Sequence, residues 1–527
     1  MSFSSTNYNK YIGLLILVHV LIAVAVTYYL LGPGFWGGDA LNGYIQSVTK
    51  EYSSTQPVFL AFVCSLTNHI IAGAQPVLLI FSFLYFLGLA LFIFMHIANR
   101  FIASMLFFLV GFWPPLYSHI GVIQTEEMQL AILSITIPLV ILLYRYQGRF
   151  RWVIFAASVI LLCCFWLVRY DSIFISIILI YWLGFSLFRK NSVRILLLTG
   201  VLAISFSLTG IILDESLHFN TVCKQEMRNA LMIADLASIS VESKVNYVPE
   251  YCWQPYISQN DKTIKKMEVG KQWELSYFSF LFNIDPSVGL FKYNTSQYTA
   301  DLRSTWLKTI LMHPFFYCRF HLKYFICFLL GVHFEASLYD GIHISQINNS
   351  RLTIEKSNAV DRFLEKNKDR FMYSDGGIVY YNDDRPITDQ QASDLLSLID
   401  ERRISDVKWM RHFSQIQSKV YTARSEMAEQ YVLPFFYLFE RWFKPLCCLI
   451  TYFIIAILGL IFFRQKIKDD YSRLSFIVLI CCGTVNILQH FFIATDPIFR
   501  FGVISILFWF FGGLILMSRH YRPNTYI

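Results

Sequence analysis

Asp39 closes the run Trp36-Gly37-Gly38-Asp39, just beyond the first long apolar stretch, and is the first acidic residue of the chain. A carboxylate at the mouth of a membrane span is tolerable where water reaches it and costly where water does not. In the wet position it can take a proton from a hydroxyl as a general base. The two glycines before it let the backbone approach another molecule closely. Further polar groups stand near the ends of other apolar stretches. These are Glu126 and Glu127, then Arg169 and Asp171 in Val168-Arg169-Tyr170-Asp171, and Asp496 with Arg500 in Asp496-Pro497-Ile498-Phe499-Arg500. His313-Pro314, followed by Arg319 and Lys323, adds basic candidates. Cations placed near a departing phosphate stabilise its charge. Acids and sparse cations at one water interface are what group transfer from a lipid phosphate requires.

Each feature also has a structural explanation. Asp39 fits a Gly-rich turn, and Glu126-Glu127 would oppose the dipole at the start of a helix. Arg169 and Asp171 would bracket a two-helix turn. Asp496 would cap a helix whose first residue is Pro497. Arg500, in the first turn of that helix, is less well explained, because a cation there opposes the dipole and so invites an anionic partner. Arg319 and Lys323 suit snorkelling side chains at an interface.

Positioning falls to membrane helices. Of 527 residues, 15% are charged and 55% hydrophobic, against about 25% charged for a soluble chain. The class is an all-α polytopic membrane protein. Apolar runs near 11–31, 76–97, 101–117, 128–144, 152–168, 172–188, 193–213, 445–463, 474–494 and 498–518 predict about ten spans, or eleven if 315–334 also crosses. Seven precede a polar region at about 214–432 and three follow it. The modules expected are 1–213, an external mixed domain over 214–432 that includes an interfacial or re-entrant helix over 302–334, and 433–527. Arg319, His321 and Lys323 favour the interfacial reading.

Charge orients the spans. Arg100; Arg145, Arg149 and Arg151; Arg189, Lys190 and Arg194; Arg464, Lys466, Lys468 and Arg473; and Arg519 with Arg522 all fall on one side when both termini are cytoplasmic. The same clustering accounts for the net charge of +8, so nucleic acid is not expected as a partner. On the opposite side lie Asp39, Glu126, Glu127, Asp171, Asp214, Glu215 and Asp496. The first apolar stretch lacks a small-residue cleavage site before Gly32-Pro33 and is expected to stay in the membrane. The 11 cysteines show no metal spacing. Cys223 and Cys252 could pair if their segment is external.

The order of these pieces resembles the GT-C superfamily of integral membrane glycosyltransferases, in its bacterial polyprenyl-phosphate-sugar-dependent branch. The resemblance rests on Trp36-Gly37-Gly38-Asp39 after the first span, Gln56-Pro57 and Gln75-Pro76 before the second, and Glu126-Glu127 in the second external loop. Trp306-Leu-Lys-Thr-Ile-Leu-Met-His313-Pro314-Phe-Phe-Tyr317 and the late Asp496-Pro-Ile-Phe-Arg500-Phe complete it. It covers most of the membrane part and is weak over 336–430. Within the family, the chain is most similar to O-antigen serotype-converting glucosyltransferases and related lipopolysaccharide-modifying enzymes.

The resemblance implies an inverting glycosyltransferase of the bacterial inner membrane. Its partners would be a polyprenyl-phosphate-linked sugar donor, a glycan or lipid-linked acceptor, and the bilayer. Asp39 would be the base, and Glu126 or Glu127 would hold the second acidic position, usually an aspartate. Arg169, Asp171, His313, Arg319, Lys323, Asp496 and Arg500 would contact substrate. No tandem Asp-x-Asp follows the first span, so no cofactor is required; a divalent cation is permitted but not indicated. Two other readings stay open: a polymerase or ligase of lipid-linked glycans, and a flippase or transporter. The last is disfavoured because the acids gather at one face and the halves show no repeat.

Overall fold

The structure is a computed structural model. It describes residues 5–32, 34–36, 47, 58–70, 74–169, 172–189, 191–216, parts of 229–249, 299–330, 371–374, 377–380, 428–442, 449–463, 470–493 and 503–518. The described residues are predominantly helical, in an all-α multi-pass architecture. Among the described residues, six helices are long and apolar enough to cross a membrane, and four shorter apolar helices accompany them. All ten coincide with runs read from the sequence.

The N-terminal module contains α1 (Ser5–Leu31), β1 (Phe35–Trp36), α2 (Val58–Asn68), α3 (Gln75–His96), α4 (Arg100–Gly111) and α5 (Pro114–Tyr117). It continues with β2 (Val122–Ile123), α6 (Thr125–Arg145), α7 (Phe150–Val168), α8 (Ile173–Phe188) and α9 (Ser192–Ser216). The starts of α3 and α4 follow local chemistry. Pro76 occupies the first turn of α3, where a missing N–H costs nothing. Asn99 caps α4 by accepting from Phe101 N at 3.0 Å and Ile102 N at 3.2 Å.

Two expectations need correction. The run 101–117 is not one helix: α4 stops at Gly111 and α5 begins at Pro114. Pro115 lacks an N–H, and each proline disfavours helical geometry in the residue before it. The 12 residues of α4 reach about 18 Å, short of a hydrocarbon core about 30 Å thick. The first loop also holds α2, which no span accounted for. It buries Leu60, Ala61 and Cys64 against α3 and α7 and leaves Phe62 and Leu66 exposed.

The centre of the bundle is the crossing of α3 with α6. Nearly every residue of α6 is buried, including Ser134 and Thr136. The helices meet at Gly88, where an added Cβ would run into the Ser134 backbone. Ser134 Oγ donates to Leu84 O at 3.3 Å and to Ala131 O at 2.8 Å. In lipid, apolar side chains gain little from leaving a solvent as oily as themselves, so close backbone approach through small residues carries helix association. Around this pair, α1 packs on α3, α7 on α6, and α8 on α9. The outer face of α9 is exposed along Val193, Leu197, Val201, Ile204 and Leu208, a surface suited to lipid.

The later elements are α10 (Thr299–Met312), α11 (Pro314–Leu330), an antiparallel hairpin of β3 (Phe371–Ser374) with β4 (Gly377–Tyr380), a π-helical turn Ala428–Val432, and α12 (Leu433–Trp442). Then come α13 (Leu449–Phe463), α14 (Asp470–Ile493) and α15 (Val503–Ser518). The two membrane modules share one apolar core. Phe92 stacks on Phe511 at 4.1 Å, Trp113 Nε1 donates to Tyr452 Oη at 2.8 Å, and Tyr471 Oη donates to Val140 O at 3.1 Å. Helix α11 is not among the helices apolar enough to span. Its far end, with Phe325 and Leu329, packs into the shared core against α13 and α14. Most of 214–432, including Cys223 and Cys252, lies outside the described residues.

Basic residues close helix ends where the charge reading put the cytoplasm. Arg100 Nη1 donates to Phe94 O at 2.9 Å, and Arg151 Nη2 donates to Leu187 O at 2.5 Å. Arg189 lies 5.4 Å from the centre of the Tyr144 ring. Cations at the C-terminal ends of α3 and α8 meet the negative end of each dipole.

The α3–α6 crossing makes a direct prediction. Gly88→Ala is expected to force the two helices apart and to lower stability by about 1–3 kcal/mol. Thermal denaturation of detergent-purified protein would read this as a reduced Tm, and an unchanged Tm would contradict the crossing.

Candidate functional site

The site begins where the loop after α1 touches the loop before α6. After α1, Gly32 N donates to Tyr28 O at 2.9 Å and Gly34 N to Leu31 O at 2.8 Å. Gly34 has φ +101, a left-handed conformation that favours glycine. The chain is thereby turned so that Phe35 N donates to Gly121 O at 2.9 Å. Phe35 then pairs with Val122 and Trp36 with Ile123 in a parallel bridge. Glycine is needed on both sides of this approach. A Cβ on Gly121 would lie 2.5 Å from Leu31 Cδ1, and one on Gly34 would lie 3.1 Å from Ile123 Cδ1.

The second loop is built rather than loose. From Trp113 to Ile120 it runs through consecutive tight turns, with Leu116, Tyr117, Ser118, His119 and Ile120 all donating backward to backbone carbonyls. Residues 114–137 are buried throughout. Tyr117 Oη donates to Thr27 Oγ1 at 3.4 Å, tying the loop to α1. Helix α15 packs against α5, α3 and α6, so the last span abuts the same loop.

The bridge leads directly into the acids. Gln124, in extended geometry, is the N-cap of α6, and Glu126 and Glu127 lie in its first turn. Their surroundings differ. Glu126 forms an ion pair with Arg169 and also accepts from Thr125 Oγ1 at 3.1 Å. The Glu126 side chain is 4% exposed and that of Arg169 21%. Glu127 is fully buried, and neither of its oxygens meets a hydrogen-bond donor among the described residues. Gln129 Nε2 donates to Ser172 Oγ at 2.5 Å, a second link between α6 and the turn joining α7 to α8. Loops one, two and three therefore converge on the start of α6.

Of the residues singled out in the sequence, the structure brings Glu126 together with Arg169. Asp39, Asp171, Asp496 and Arg500 lie outside the described residues, as do the side chains of Asp214, Glu215 and Lys323. His313 and Arg319 stand on or next to α11, and Lys323 belongs to the same helix. His313 Nε2 meets Tyr247 Oη at 2.6 Å, and Arg319 is exposed.

That neighbourhood contains a residue the sequence reading missed. Asp235 is buried, with Oδ2 accepting from Trp306 Nε1 at 2.8 Å and Oδ1 3.1 Å from His321 Nε2. The Tyr317 ring lies against that of His321 in a tilted arrangement, ring centres 4.3 Å apart. Burial first, and the Asp235 charge second, push the Tyr317 phenol up to about 12. A small apolar cluster of Ile233, Leu236 and Leu302 lies beside these groups. The available signal was an aspartate inside the apolar run Leu231-Met232-Ile233-Ala234-Asp235-Leu236, since a charge is rarely buried unless paired. No group of three His, Cys, Asp or Glu side chains able to hold a metal occurs among the described residues.

Comparison with protein-family models, with curated proteins and with solved structures gave no match for this chain.

The Glu126–Arg169 pair couples two loops, and its loss is measurable. Arg169→Ala is expected to cost ~2–4 kcal/mol, less than the most buried pairs because Arg169 is partly exposed. Adding Glu126→Gln to that variant should recover part of the loss. Strictly additive losses in the double-mutant cycle would contradict a direct pair.

Proposed function

We propose that this chain is a membrane glycosyltransferase that moves a sugar from a polyprenyl phosphate to a glycan or lipid-linked hydroxyl, such as lipopolysaccharide or its O-antigen, at the outer face of a bacterial inner membrane. Both termini are then cytoplasmic. The observation that carries the reading is the parallel bridge of β1 with β2. Trp36 and Ile123 are paired there, Asp39 follows Trp36 by three residues, and Glu126 follows Ile123 by three. Three residues of chain extend at most about 11 Å. The loop that carries the proposed base thus leaves from a strand paired with the one that runs into a buried carboxylate and its arginine.

In this reading Asp39 takes the proton of an acceptor hydroxyl. The hydroxyl oxygen forms a bond to the anomeric carbon from the face opposite the phosphate. The bond from that carbon to the phosphate oxygen breaks, and its electron pair leaves with the polyprenyl phosphate. Configuration inverts in a single displacement. Arg169 is held in place by Glu126, which also offsets part of its charge, so the leaving phosphate draws further on Arg319, Lys323 and Arg500. The joined charged groups lie at helix ends, where an aqueous acceptor and a membrane-held donor meet. Transport would place such groups near the midplane.

Asp39→Asn removes the base and keeps the shape. Sugar transfer in membranes is expected to fall at least ~100-fold, within the range for loss of a general base. Near-normal turnover in correctly inserted protein would overturn the assignment.

A further inference from the structure

The two neighbouring acids of α6 are not equivalent, and the difference points to a ligand. Glu126 is engaged with Arg169 and Thr125. Glu127 is 0% exposed with both oxygens unpartnered among the described residues. Three residues earlier, Gln124 is 3% exposed and its Nε2 is likewise unpartnered. A carboxyl or amide buried without a partner costs on the order of 1–3 kcal/mol, and more if charged.

The usual local explanation for an acid at this place does not hold. Glu127 is the third residue of α6, where a capping box would bring its carboxylate back onto the N–H of the N-cap residue, Gln124. Neither oxygen makes that bond. The position at the positive end of the helix dipole favours a carboxylate, but Glu126 already supplies one in the same turn.

Gln124 is the N-cap and Glu127 the third residue of α6, so both stand at the start of one helix. Between them they offer an amide with two N–H donors and a carboxyl with acceptor oxygens. Their chemistry selects among ligands. A phosphate would be repelled by the adjacent Glu126 and Glu127. A metal ion would gain nothing from amide N–H groups, and no three-ligand group is present among the described residues. An apolar group would leave both side chains unsatisfied. A hydroxyl donates one hydrogen bond and accepts others, so one or two sugar hydroxyls match the set. We infer that Gln124 and Glu127 form the hydroxyl-reading subsite for the transferred sugar, Glu127 accepting from and Gln124 donating to its hydroxyls. This rests on the transferase reading above and divides the site: the sugar lies toward Gln124 and Glu127, the phosphate toward the cations.

The test separates sugar from phosphate. Full-length protein in detergent is heated with polyprenyl phosphate, and in parallel with polyprenyl phosphate bearing glucose, galactose or a 6-deoxyhexose. Binding to the native state raises Tm in proportion to affinity. Wild type is expected to gain an extra shift from at least one attached sugar. Glu127→Gln and Gln124→Leu are each expected to lose that extra shift and keep the shift from the phosphate alone, with KM for that donor rising ~10-fold or more and kcat moving less. If one variant fails to fold, the other decides.

Retention of the sugar-dependent shift in the folded variants, as a bridging buried water would allow, overturns the subsite. So does equal loss of both shifts, or no sugar-dependent shift in wild type. A sugar-dependent shift that the variants lose, with no transfer by wild type to lipopolysaccharide or a lipid-linked glycan, keeps the subsite and refutes the transferase reading.

Discussion

Everything proposed for this end of the bundle depends on a two-residue contact, the parallel pairing of Phe35–Trp36 with Val122–Ile123. Its backbone hydrogen bonds are worth only about 1 kcal/mol each in net terms, so the bridge does not stand on its own strength. It stands because the elements around it are fixed. Gly34 turns the chain, Gly121 leaves room for Leu31, and Tyr117 reaches Thr27 of α1. Parallel strands need a long crossover, and here it is formed by α2, α3, α4 and α5. The core of the bundle thereby sets the register of the loops.

The same dependence runs downward into the membrane. The α3–α6 crossing at Gly88 and Ser134 holds the start of α6, and with it Gln124, Glu126 and Glu127, at a set position relative to α1. From α6 the Glu126–Arg169 and Gln129–Ser172 contacts pass that position to the α7–α8 turn. The C-terminal helices brace the arrangement through Phe511, Tyr452 and Tyr471. Polar groups on three loops are thus placed by apolar packing below them. A site on a rigid scaffold in this manner needs little reorganisation when charge develops.

Much of the scaffold was legible because lipid imposes length and apolarity on spans, and the helices from α1 to α15 that match those runs follow from both. The break at Trp113-Pro114-Pro115 was written in the sequence, but continuous hydropathy across 101–117 concealed it. Helix α2 was concealed for the opposite reason, being too short to register as a span. Non-local contacts could not be read. Nothing in the order of residues says that Trp36 pairs with Ile123, or that Asp235 meets His321, since each depends on how distant segments pack. The contrast between Glu126 and Glu127 was equally hidden. Consecutive helical residues point about 100° apart, and only the fold decides which of them meets Arg169.

The pairing of the loop after α1 with the loop before α6 is the claim on which the rest turns, and cross-linking tests it most directly. Neighbouring strands lie about 4.8 Å apart, inside the span of about 4.4–6.8 Å that a disulfide bridges between Cα atoms. Phe35→Cys and Val122→Cys, introduced together into a cysteine-depleted chain carrying a protease site between the two loops, should form a disulfide in native membranes under mild oxidation. The account predicts that the cleaved halves stay joined on a non-reducing gel and part on reduction. Halves that part without reduction, from protein whose Tm matches the parent, would contradict it.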